Sequence, residues 1–373
     1  MSGIYIHIPF CKQACHYCNF HFSTSLHYKD DVVQAIVAET DIRKNYLQGE
    51  KVKTIYFGGG TPSLLSFSNL DLMMHKINSD FQVDQDAEIT LEANPDDITE
   101  EKLIKWKQSG INRLSIGVQS FFEVELKWMN RAHNAEQAIN NLLLARNHFA
   151  NITIDLIYGS PLLTDEMWKQ NVERAIAFGI PHLSCYALTV EEKTSLHKMI
   201  ALQKTPDVDN DKQARQFLLL MQWLREAGYE HYEVSNFAKT GFRSRHNSSY
   251  WRGEKYLGLG PSAHSYNGKE RQWNVANNQK YISAIADGAT FFEKEVLSDR
   301  DQLNEHIMIS LRTNEGLNLS GVEKKWGKEK AALIEKQLES YVHQNEVHKN
   351  GSMYSLTDQG FLKADGIAAS LFI

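Results

Sequence analysis

Three cysteines near the amino terminus have the spacing of a metal site. Cys11, Cys15 and Cys18 stand in the order C-x3-C-x2-C within the segment IYIHIPFCKQACHYCNF, and the whole chain has only four cysteines. An iron–sulfur cubane held by three thiolates leaves one iron open to an outside molecule, whereas structural zinc takes four protein ligands. The spacing therefore predicts a three-thiolate cluster, with a zinc ion completed by His16 or His21 as the alternative.

Other polar and glycine-rich motifs recur at or near the carboxyl ends of predicted strands. They are Gly58-Gly59-Gly60-Thr61-Pro62, Glu92-Ala93-Asn94-Pro95, Gly117-Val118-Gln119-Ser120 and Asp155. Glycine lets a ligand approach the backbone, and buried carboxylates such as Glu92 and Asp155 favour a ligand with ammonium or hydroxyl groups unless an internal salt bridge pairs them. Arg131, in the segment MNRAH, has the fork geometry that binds a ligand carboxylate, although a single Arg near a helix start is more often structural.

The elements that must position these residues alternate between strand and helix. Short apolar, β-branched runs predict buried parallel strands at 4–8, 54–57, 88–91, 113–118, 152–157 and 182–188. Segments with helical spacing lie between them at 29–46, 70–79, 100–109, 135–149 and 165–178. Six β-α units without a Rossmann glycine fingerprint predict an α/β fold, a partial (β/α)6 TIM-type barrel, whose motifs converge on the rim at the carboxyl ends of the strands.

The rest of the chain departs from this alternation. After a predicted helix at 210–227 and a strand at 229–234, residues 236–265 have no period and are rich in Gly, Ser, Asn, His and aromatic residues, which is typical of a functional surface segment. Predicted helices at 303–312 and 329–343, followed by a hairpin at Asn350-Gly351, indicate a winged-helix-like domain. We therefore expect a barrel domain at 1–235, a linking segment at 236–290 and a smaller α+β domain at 291–373.

The composition is that of a soluble globular protein. Hydrophobic residues make up 42% and charged residues 23%, and the formal net charge of −6 gives no basic surface of the kind that nucleic-acid binding needs. The chain has neither an apolar run of bilayer length nor an export signal, so we expect a cytoplasmic location and reduced thiols. The fourth cysteine, Cys185, is predicted to be a buried core thiol.

The motifs between Tyr5 and Gly159 resemble those of a known superfamily. Tyr5 before HIPFC, the cysteine loop, GGGTP, E-x-N-P, GVQS, NR and DLIYG are similar in order and spacing to the radical S-adenosylmethionine (SAM) superfamily, in its oxygen-independent coproporphyrinogen III oxidase-like branch. The resemblance implies a [4Fe–4S] cluster on the three cysteines, with SAM bound to the open iron through its amino and carboxylate groups. It also implies that the methionyl part is lined by Gly59, Gly60 and Thr61, and that SAM is bound by Tyr5, Glu92, Gln119, Arg131 and Asp155, with Arg131 facing a carboxylate and Asp155 a ribose.

Three departures separate the chain from the decarboxylating enzymes of that branch. Those enzymes have a further cysteine where this chain has Phe20, and an arm before the first strand, which here begins by Ile4. The third departure is the segment from His246 to Trp251, HNSSYW, which resembles the HNxxYW segment of HemW-type haem chaperones. These differences favour a haem chaperone over the enzyme.

The resemblance thus implies a third bound group, haem. Histidine is a good axial ligand for haem iron, and aromatic side chains offer flat apolar surface to a porphyrin. The expected haem residues are His246, Asn247, Tyr250 and Trp251, and the other candidate histidines are His7, His16, His21 and His264.

These predictions are compatible with three functional hypotheses. The leading hypothesis is a chaperone that binds haem and transfers it to an acceptor such as a respiratory enzyme. The alternatives are a radical enzyme that oxidatively decarboxylates coproporphyrinogen III and a zinc-stabilised barrel without redox chemistry. No catalytic residue is assigned, and a homodimer and contact with a membrane surface are both left open.

Overall fold

A computed structural model describes residues 2–373 and places most strands in one twelve-stranded sheet. Its first six strands lie side by side in chain order and all run parallel, as the alternating pattern predicted. They are β1 (Ser2–Ile8), β2 (Val52–Gly59), β3 (Val83–Ala93), β4 (Arg113–Gln119), β5 (Ile152–Tyr158) and β6 (His182–Ala187). The α/β class and the six-unit core are confirmed, and the sheet stays open rather than closing into a ring.

Helices connect successive strands of this core. The predicted helices form, and most of them begin at a Ser, Thr or Asn whose side chain accepts a hydrogen bond from a backbone N–H of the first turn. The connecting helices are α1 (Lys29–Ile42), α2 (Phe67–Asp80), α3 (Glu100–Gln108), α4 (Glu123–Trp128), α5 (Ala135–His148) and α6 (Asp165–Ala177). The six residues of α4 were not predicted because they are shorter than two helical turns.

The two faces of the parallel strands differ in chemistry. On β1, Ile4, Ile6 and Ile8 alternate with Tyr5 and His7, and the isoleucines belong to the hydrophobic core that the helices cover. The inner face instead carries polar and aromatic side chains that contact one another across strands. Because side chains alternate along a strand, the polar inner residues are held in fixed register by an apolar outer layer.

The segment after β6 extends the sheet at both ends. It contains the elements α7 (Ser195–Ala201), α8 (Asn210–Glu226), β7 (Glu230–Glu233), β8 (Asn236–Ala238), α9 (Arg245–Trp251), β9 (Lys255–Leu259), β10 (His264–Tyr266), β11 (Glu270–Asn274), α10 (Asn278–Ala286) and β12 (Phe292–Val296). β8 and β7 add to β6, whereas β9 pairs parallel with β1 and is followed outward by β10, β11 and β12. The stretch at 236–265, expected to be irregular, therefore contains a helix and a seventh parallel strand.

The carboxyl-terminal part is a small helical unit with its own three-stranded sheet. It comprises α11 (Asp299–Leu311), β13 (Leu317–Asn318), α12 (Leu319–Trp326), α13 (Lys328–His343), β14 (Val347–Asn350), β15 (Met353–Leu356), α14 (Asp358–Phe361) and α15 (Ala364–Ser370). The predicted hairpin turns between β14 and β15, where Gly351 has a φ of 60°. The division at 235/236 and 290/291 stays a prediction; β8 to β11 of the middle region and β12, just after residue 290, belong to the main sheet. Among residues 2–373, no helix is both long and apolar enough to cross a membrane.

Candidate functional site

Most of the predicted cofactor residues line one cavity at the carboxyl ends of the parallel strands. This cavity, here the cysteine cavity, has a volume of about 390 Å³. Its walls include Cys11, Cys15, Cys18, Gly59, Gly60, Thr61, Glu92, Gln119, Arg131 and Asp155. The fold thus brings together the three cysteines and seven further residues from five segments of the chain. Among the residues expected to bind the cluster or SAM, Tyr5 is the exception, because it lines a second cavity.

The cysteine loop is anchored to the segment that follows α4. Gln13 Nε2 donates a hydrogen bond to Asn130 Oδ1 at 2.7 Å, and Asn130 Nδ2 donates to the carbonyl of Ala14 at 2.7 Å. His16 Nδ1 lies 2.8 Å from the carbonyl of Trp128, so this histidine supports the loop. No three His, Cys, Asp or Glu side chains within residues 2–373 converge as ligands of a single ion. A cubane does not need such convergence, because each thiolate binds a different iron.

Arg131 connects the cysteine loop to the barrel. Its Nη1 donates to the Cys15 sulfur at 3.3 Å, and its Nη2 donates to Asn94 Oδ1 at 2.6 Å and to the carbonyl of Gly117 at 2.8 Å. Burial opposes the charged form, but the Tyr17 phenol and the Cys15 thiol outweigh it and raise the pKa of Arg131. The buried Nε has no hydrogen-bond partner among the described residues, so a ligand carboxylate at this point would satisfy it.

Glu92 and Asp155 form a pair of recessed carboxyl groups on the inner face. The Tyr56 hydroxyl donates to Glu92 Oε1 at 2.8 Å, and the Gly59 N–H donates to Oε2 at 3.1 Å. Burial, with the nearby Asp155 carboxylate, raises the pKa of Glu92 to about 8. Burial also raises the pKa of Asp155 to about 6, although the Ser184 hydroxyl and the charges of Arg113 and Arg131 oppose the shift. Near neutral pH the pair therefore keeps the proton of Glu92 while Asp155 is largely ionised, and a cationic or hydroxyl-bearing ligand favours ionisation of both.

The GGGTP motif needs glycine because a side chain would not fit at two of its positions. Gly59 has a φ of 110°, and a Cβ added there would lie 2.6 Å from His7 Nδ1. A Cβ on Gly60 would lie 2.7 Å from the carbonyl oxygen of Phe10, just before the cysteine loop. Gln119, at the end of β4, also has a positive φ of 64°. These positions give the backbone close access to the cavity, which suits contact with a small cosubstrate.

A second cavity lies between the β9–β11 edge of the sheet and α11. This cavity, here the aromatic cavity, has a volume of about 700 Å³. Aromatic rings from three segments line it: Tyr5, Phe20, Tyr250, Trp251, Tyr256 and Tyr266. Histidines and cations line it as well: His7, His21, His264, His306, Arg252, Arg271 and Lys325. Asn19 and Phe20 line both cavities, so the two adjoin at the cysteine loop.

The HNSSYW segment forms α9, whose residues lie in different surroundings. Tyr250 and Trp251 line the aromatic cavity, but His246 is only 1% exposed and lines neither cavity. Asn247 also lines neither cavity, and its backbone N–H caps onto the Ser244 hydroxyl at 3.2 Å. The structure therefore brings only the aromatic half of the predicted haem segment to a cavity wall.

Both ring nitrogens of His246 have partners in the barrel interior. Nδ1 lies 2.8 Å from Thr54 Oγ1 and Nε2 lies 2.9 Å from the Tyr250 hydroxyl. The ring also stacks on Tyr56 with centroids 5.0 Å apart. Burial, with a positive charge nearby, lowers the pKa of His246 to about 3, so the imidazole is neutral.

Sequence reasoning did not single out several residues that shape these surroundings. Glu88, on the amino-terminal side of the inner face, accepts from the backbone N–H groups of Arg245 and His246 at 3.0 and 2.9 Å and so holds the start of α9. Asn94 belongs to the E-x-N-P motif, and this membership could have indicated that it lies at the site, where it contacts Arg131. Tyr17 also contacts Arg131, and no motif in the sequence pointed to it. Cys185 is buried, as predicted.

The architecture and the cysteine cavity define the class of the protein. Residues 5–175 match the Radical SAM superfamily and residues 297–362 match the HemN C-terminal domain, so the resemblance seen in the motifs is confirmed. The structure of the Escherichia coli coproporphyrinogen III oxidase HemN, a radical SAM enzyme, matches with a TM-score of 0.86 over 100% of this chain and 90% of that one. Sequence identity to HemN is 24%, so this likeness concerns the fold alone. Membership of the superfamily implies a [4Fe–4S] cluster and SAM.

Relatives that are similar over most of the chain identify the family within this superfamily. The Bacillus subtilis protein named heme chaperone HemW is 33% identical over 366 residues, which cover 97% of each chain. The Escherichia coli protein of the same name is 38% identical over 267 residues, 70% of this chain and 69% of its own. A mouse mitochondrial protein, radical S-adenosyl methionine domain-containing protein 1, is 36% identical over 70% of this chain and 60% of its own. The chain belongs to the HemW heme chaperone family.

Proposed function

We propose that this protein binds a [4Fe–4S] cluster, SAM and haem, and that it passes haem to acceptor proteins such as respiratory enzymes. The observation that carries the proposal is the end-to-end similarity to proteins named heme chaperone HemW, which extends over 97% of both chains in one case. The two adjoining cavities support it, since they offer separate places for the cosubstrate and for a large flat ligand.

The cluster is proposed to be held by Cys11, Cys15 and Cys18 in the cysteine cavity. Three thiols on one loop match the donor set of such a cluster, and Arg131 Nη1 donates to the Cys15 sulfur at 3.3 Å, which holds that side chain in place. When bound, the cluster supplies an electron to the sulfonium of SAM. The protein's own part is to hold these thiols at the mouth of the barrel, away from bulk water.

The SAM residues are proposed from their places around the same cavity. Arg131 has an unpartnered Nε and orients the SAM carboxylate, while Glu92 and Asp155 accept from ammonium and hydroxyl groups. Gly59, Gly60, Thr61 and Gln119 complete the wall. Tyr5 is proposed to support the SAM site from outside the cysteine cavity. Its hydroxyl lies 3.1 Å from His7 Nδ1, and its ring lines the aromatic cavity.

Haem is proposed to occupy the aromatic cavity. Its volume of about 700 Å³ lies within the range of ligand sites, and its flat aromatic walls suit a porphyrin face. Tyr250 and Trp251 from the HNSSYW segment lie on these walls, as does Phe20, which occupies the position of the extra cysteine in the decarboxylating enzymes. The cationic side chains at the margin suit the propionate groups.

Three measurements on anaerobically reconstituted protein test the proposal. We expect about four irons per chain, a Soret band on haem titration, and transfer of that haem to an acceptor that lacks it. Replacing Cys15 by Ala is expected to remove the cluster absorbance, whereas the matched variant Cys185→Ala, on a buried thiol outside both cavities, keeps it.

The rival reaction is tested in the same preparation. Incubation with SAM, a reductant and coproporphyrinogen III is expected to give no protoporphyrinogen IX. Turnover to that product would show an oxidase instead, and zinc bound without iron would rule out the cluster.

A further inference from the structure

We propose that the iron of haem in the aromatic cavity is ligated by His264 and His306, and that His246 positions the wall of the cavity without touching haem. The inference rests on the proposed haem function and specifies its ligands. Four histidines line the cavity, and they differ in whether their ring nitrogens are free to bind a metal.

His246 is excluded by its surroundings. The ring lies inside the barrel, and ligation would require breaking its contact with Thr54 or with Tyr250 and moving it through the Tyr56 and Tyr5 rings that stack on it. Either change would leave a buried polar group without its hydrogen-bond partner, which destabilises the fold. Its contact with the Tyr250 hydroxyl instead fixes that phenol on the cavity wall, which makes His246 a positioning residue.

Two of the cavity histidines are also committed elsewhere. His7 Nδ1 lies 3.1 Å from the Tyr5 hydroxyl and its Nε2 lies 2.9 Å from the carbonyl of His21. His21 Nε2 lies 2.8 Å from Asn278 Oδ1. Both ring nitrogens of His7 are thus occupied, whereas His21 keeps an Nδ1 that is free among the described residues but is held by its Nε2 contact and by stacking on His7, with centroids 6.2 Å apart.

His264 and His306 are free and lie on different walls. Neither ring nitrogen of either residue has a hydrogen-bond partner within residues 2–373, and both side chains line the cavity, one from β10 and the other from α11. Each ring rests against a tryptophan, with centroids 6.3 Å apart for His264 and Trp273 and 5.2 Å apart for His306 and Trp326. Held by stacking and with free nitrogens, the two rings suit axial ligation from opposite sides of a porphyrin.

The charges at the cavity favour this ligation. Burial lowers the pKa of His264, with Arg271 adding to the effect, and burial lowers the pKa of His306, with Lys325 adding. Both imidazoles are therefore neutral, which is the form that binds metal. The same cations suit the propionates, and the Lys325 ammonium is the most available because it forms no salt bridge among the described residues and lies 4.2 Å from the centre of the Trp326 ring.

The test uses the full-length, cluster-loaded protein titrated with ferric haem and then reduced. Wild-type protein is expected to show a six-coordinate, low-spin spectrum. His264→Ala and His306→Ala should each give a five-coordinate, high-spin spectrum, and the double variant should bind haem at least tenfold more weakly. Added imidazole should restore the low-spin spectrum in the single variants, which a merely structural role would not allow.

Two control variants make the result decisive. His246→Asn, whose amide can bond to Thr54 in place of the ring Nδ1, should keep the low-spin spectrum, and so should His75→Ala on the exposed face of α2. An unchanged spectrum in the His264/His306 double variant, or loss of the low-spin form in folded His246→Asn, would overturn the assignment while leaving the haem function standing. Wild-type protein that binds no haem would instead overturn the proposed function itself.

Discussion

The recessed pair Glu92 and Asp155 shows how single residues set the chemistry of the cysteine cavity. Burial makes each carboxyl group hold its proton more readily than in water, and the nearby Asp155 carboxylate adds to the raised pKa of Glu92. In contrast, Arg131 stays charged beside the cysteine loop. The cavity thus has a fixed cation at one wall and two acids at the other, of which Glu92 keeps its proton at neutral pH.

The raised pKa of Glu92 gives a stability profile that can be measured. The folded state holds this proton up to about pH 8, whereas the unfolded chain releases it near pH 4.5. The group therefore stabilises the fold fully below pH 4.5, and its contribution is lost as the pH rises through 8. In cluster-free protein, Glu92→Gln should flatten the fall in the free energy of unfolding between pH 5 and 8, measured by urea denaturation at each pH.

A matched change on the surface serves as the control for this profile. Glu136 lies in the first turn of α5, outside both cavities, and Glu136→Gln should leave the pH slope of the wild-type protein unchanged. Equal slopes in wild type and Glu92→Gln would contradict the raised pKa.

Residue types and spacing predicted the membership of the cysteine cavity well, but they did not predict contacts. The motifs at strand ends placed Glu92, Gln119 and Asp155 together because parallel strands share one rim, whereas only the family resemblance assigned Arg131 to the site. The contact of Arg131 with Cys15 joins residues 116 positions apart, and spacing along the chain carries no signal for it. For His246, sequence identified a good ligand type but not that both ring nitrogens would be occupied.

At the scale of elements, α9 depends on a partner from the barrel. The helix has only seven residues, too few to be stable alone, and Glu88 accepts from two N–H groups of its first turn. Glu88 also lies 3.9 Å from the buried Arg113. The carboxylate thus joins the start of α9 to the inner face, which in turn holds Tyr250 and Trp251 on the aromatic cavity.

Removing that carboxylate is expected to destabilise the fold. Glu88→Ala leaves Arg113 and the two helix N–H groups without their partner, and breaking a buried ion pair in this way costs about 3–5 kcal/mol. We expect a fall of that size in the free energy of unfolding, measured by urea denaturation, together with weaker haem binding because α9 is loosened. Asp86→Ala, at an exposed position on the same strand, should change stability by less than about 0.5 kcal/mol. Similar effects of both substitutions would argue against this role of Glu88.

The elements that sequence predicted and those it missed differ in a physical way. The six strands from β1 to β6 were evident because their outer faces bury apolar residues under helices at regular intervals. β9 has only five residues, one of them Gly258, where a Cβ would lie 2.0 Å from the His264 carbonyl oxygen. α9 turns polar and aromatic residues toward the barrel interior. Neither β9 nor α9 shows the regular spacing of apolar residues from which strands and helices are recognised in a sequence.

At the scale of the whole molecule, parallel pairing of β9 with β1 brings the second cavity beside the first. The walls of the aromatic cavity come from the cysteine loop, from 250–271 and from 302–325, so only the folded chain assembles it. Sequence could therefore indicate a haem segment but not the cavity in which haem would lie. Asn19 and Phe20 belong to both cavities, so an occupant of one cavity would share this loop with an occupant of the other.

Phe20 gives a direct test of that shared wall. Its side chain is 67% exposed, an unusual state for a large apolar residue, and haem in the aromatic cavity would cover it. Loss of this contact in Phe20→Ala is expected to cost about 1.4 kcal/mol, or about tenfold in haem affinity, without changing the iron content. Phe22→Ala is the matched control, because Phe22 lies on the same loop but lines only the cysteine cavity. The measurement is a haem titration of both variants, with iron counted in each preparation. If Phe20→Ala bound haem as tightly as Phe22→Ala, Phe20 would not be part of the haem site.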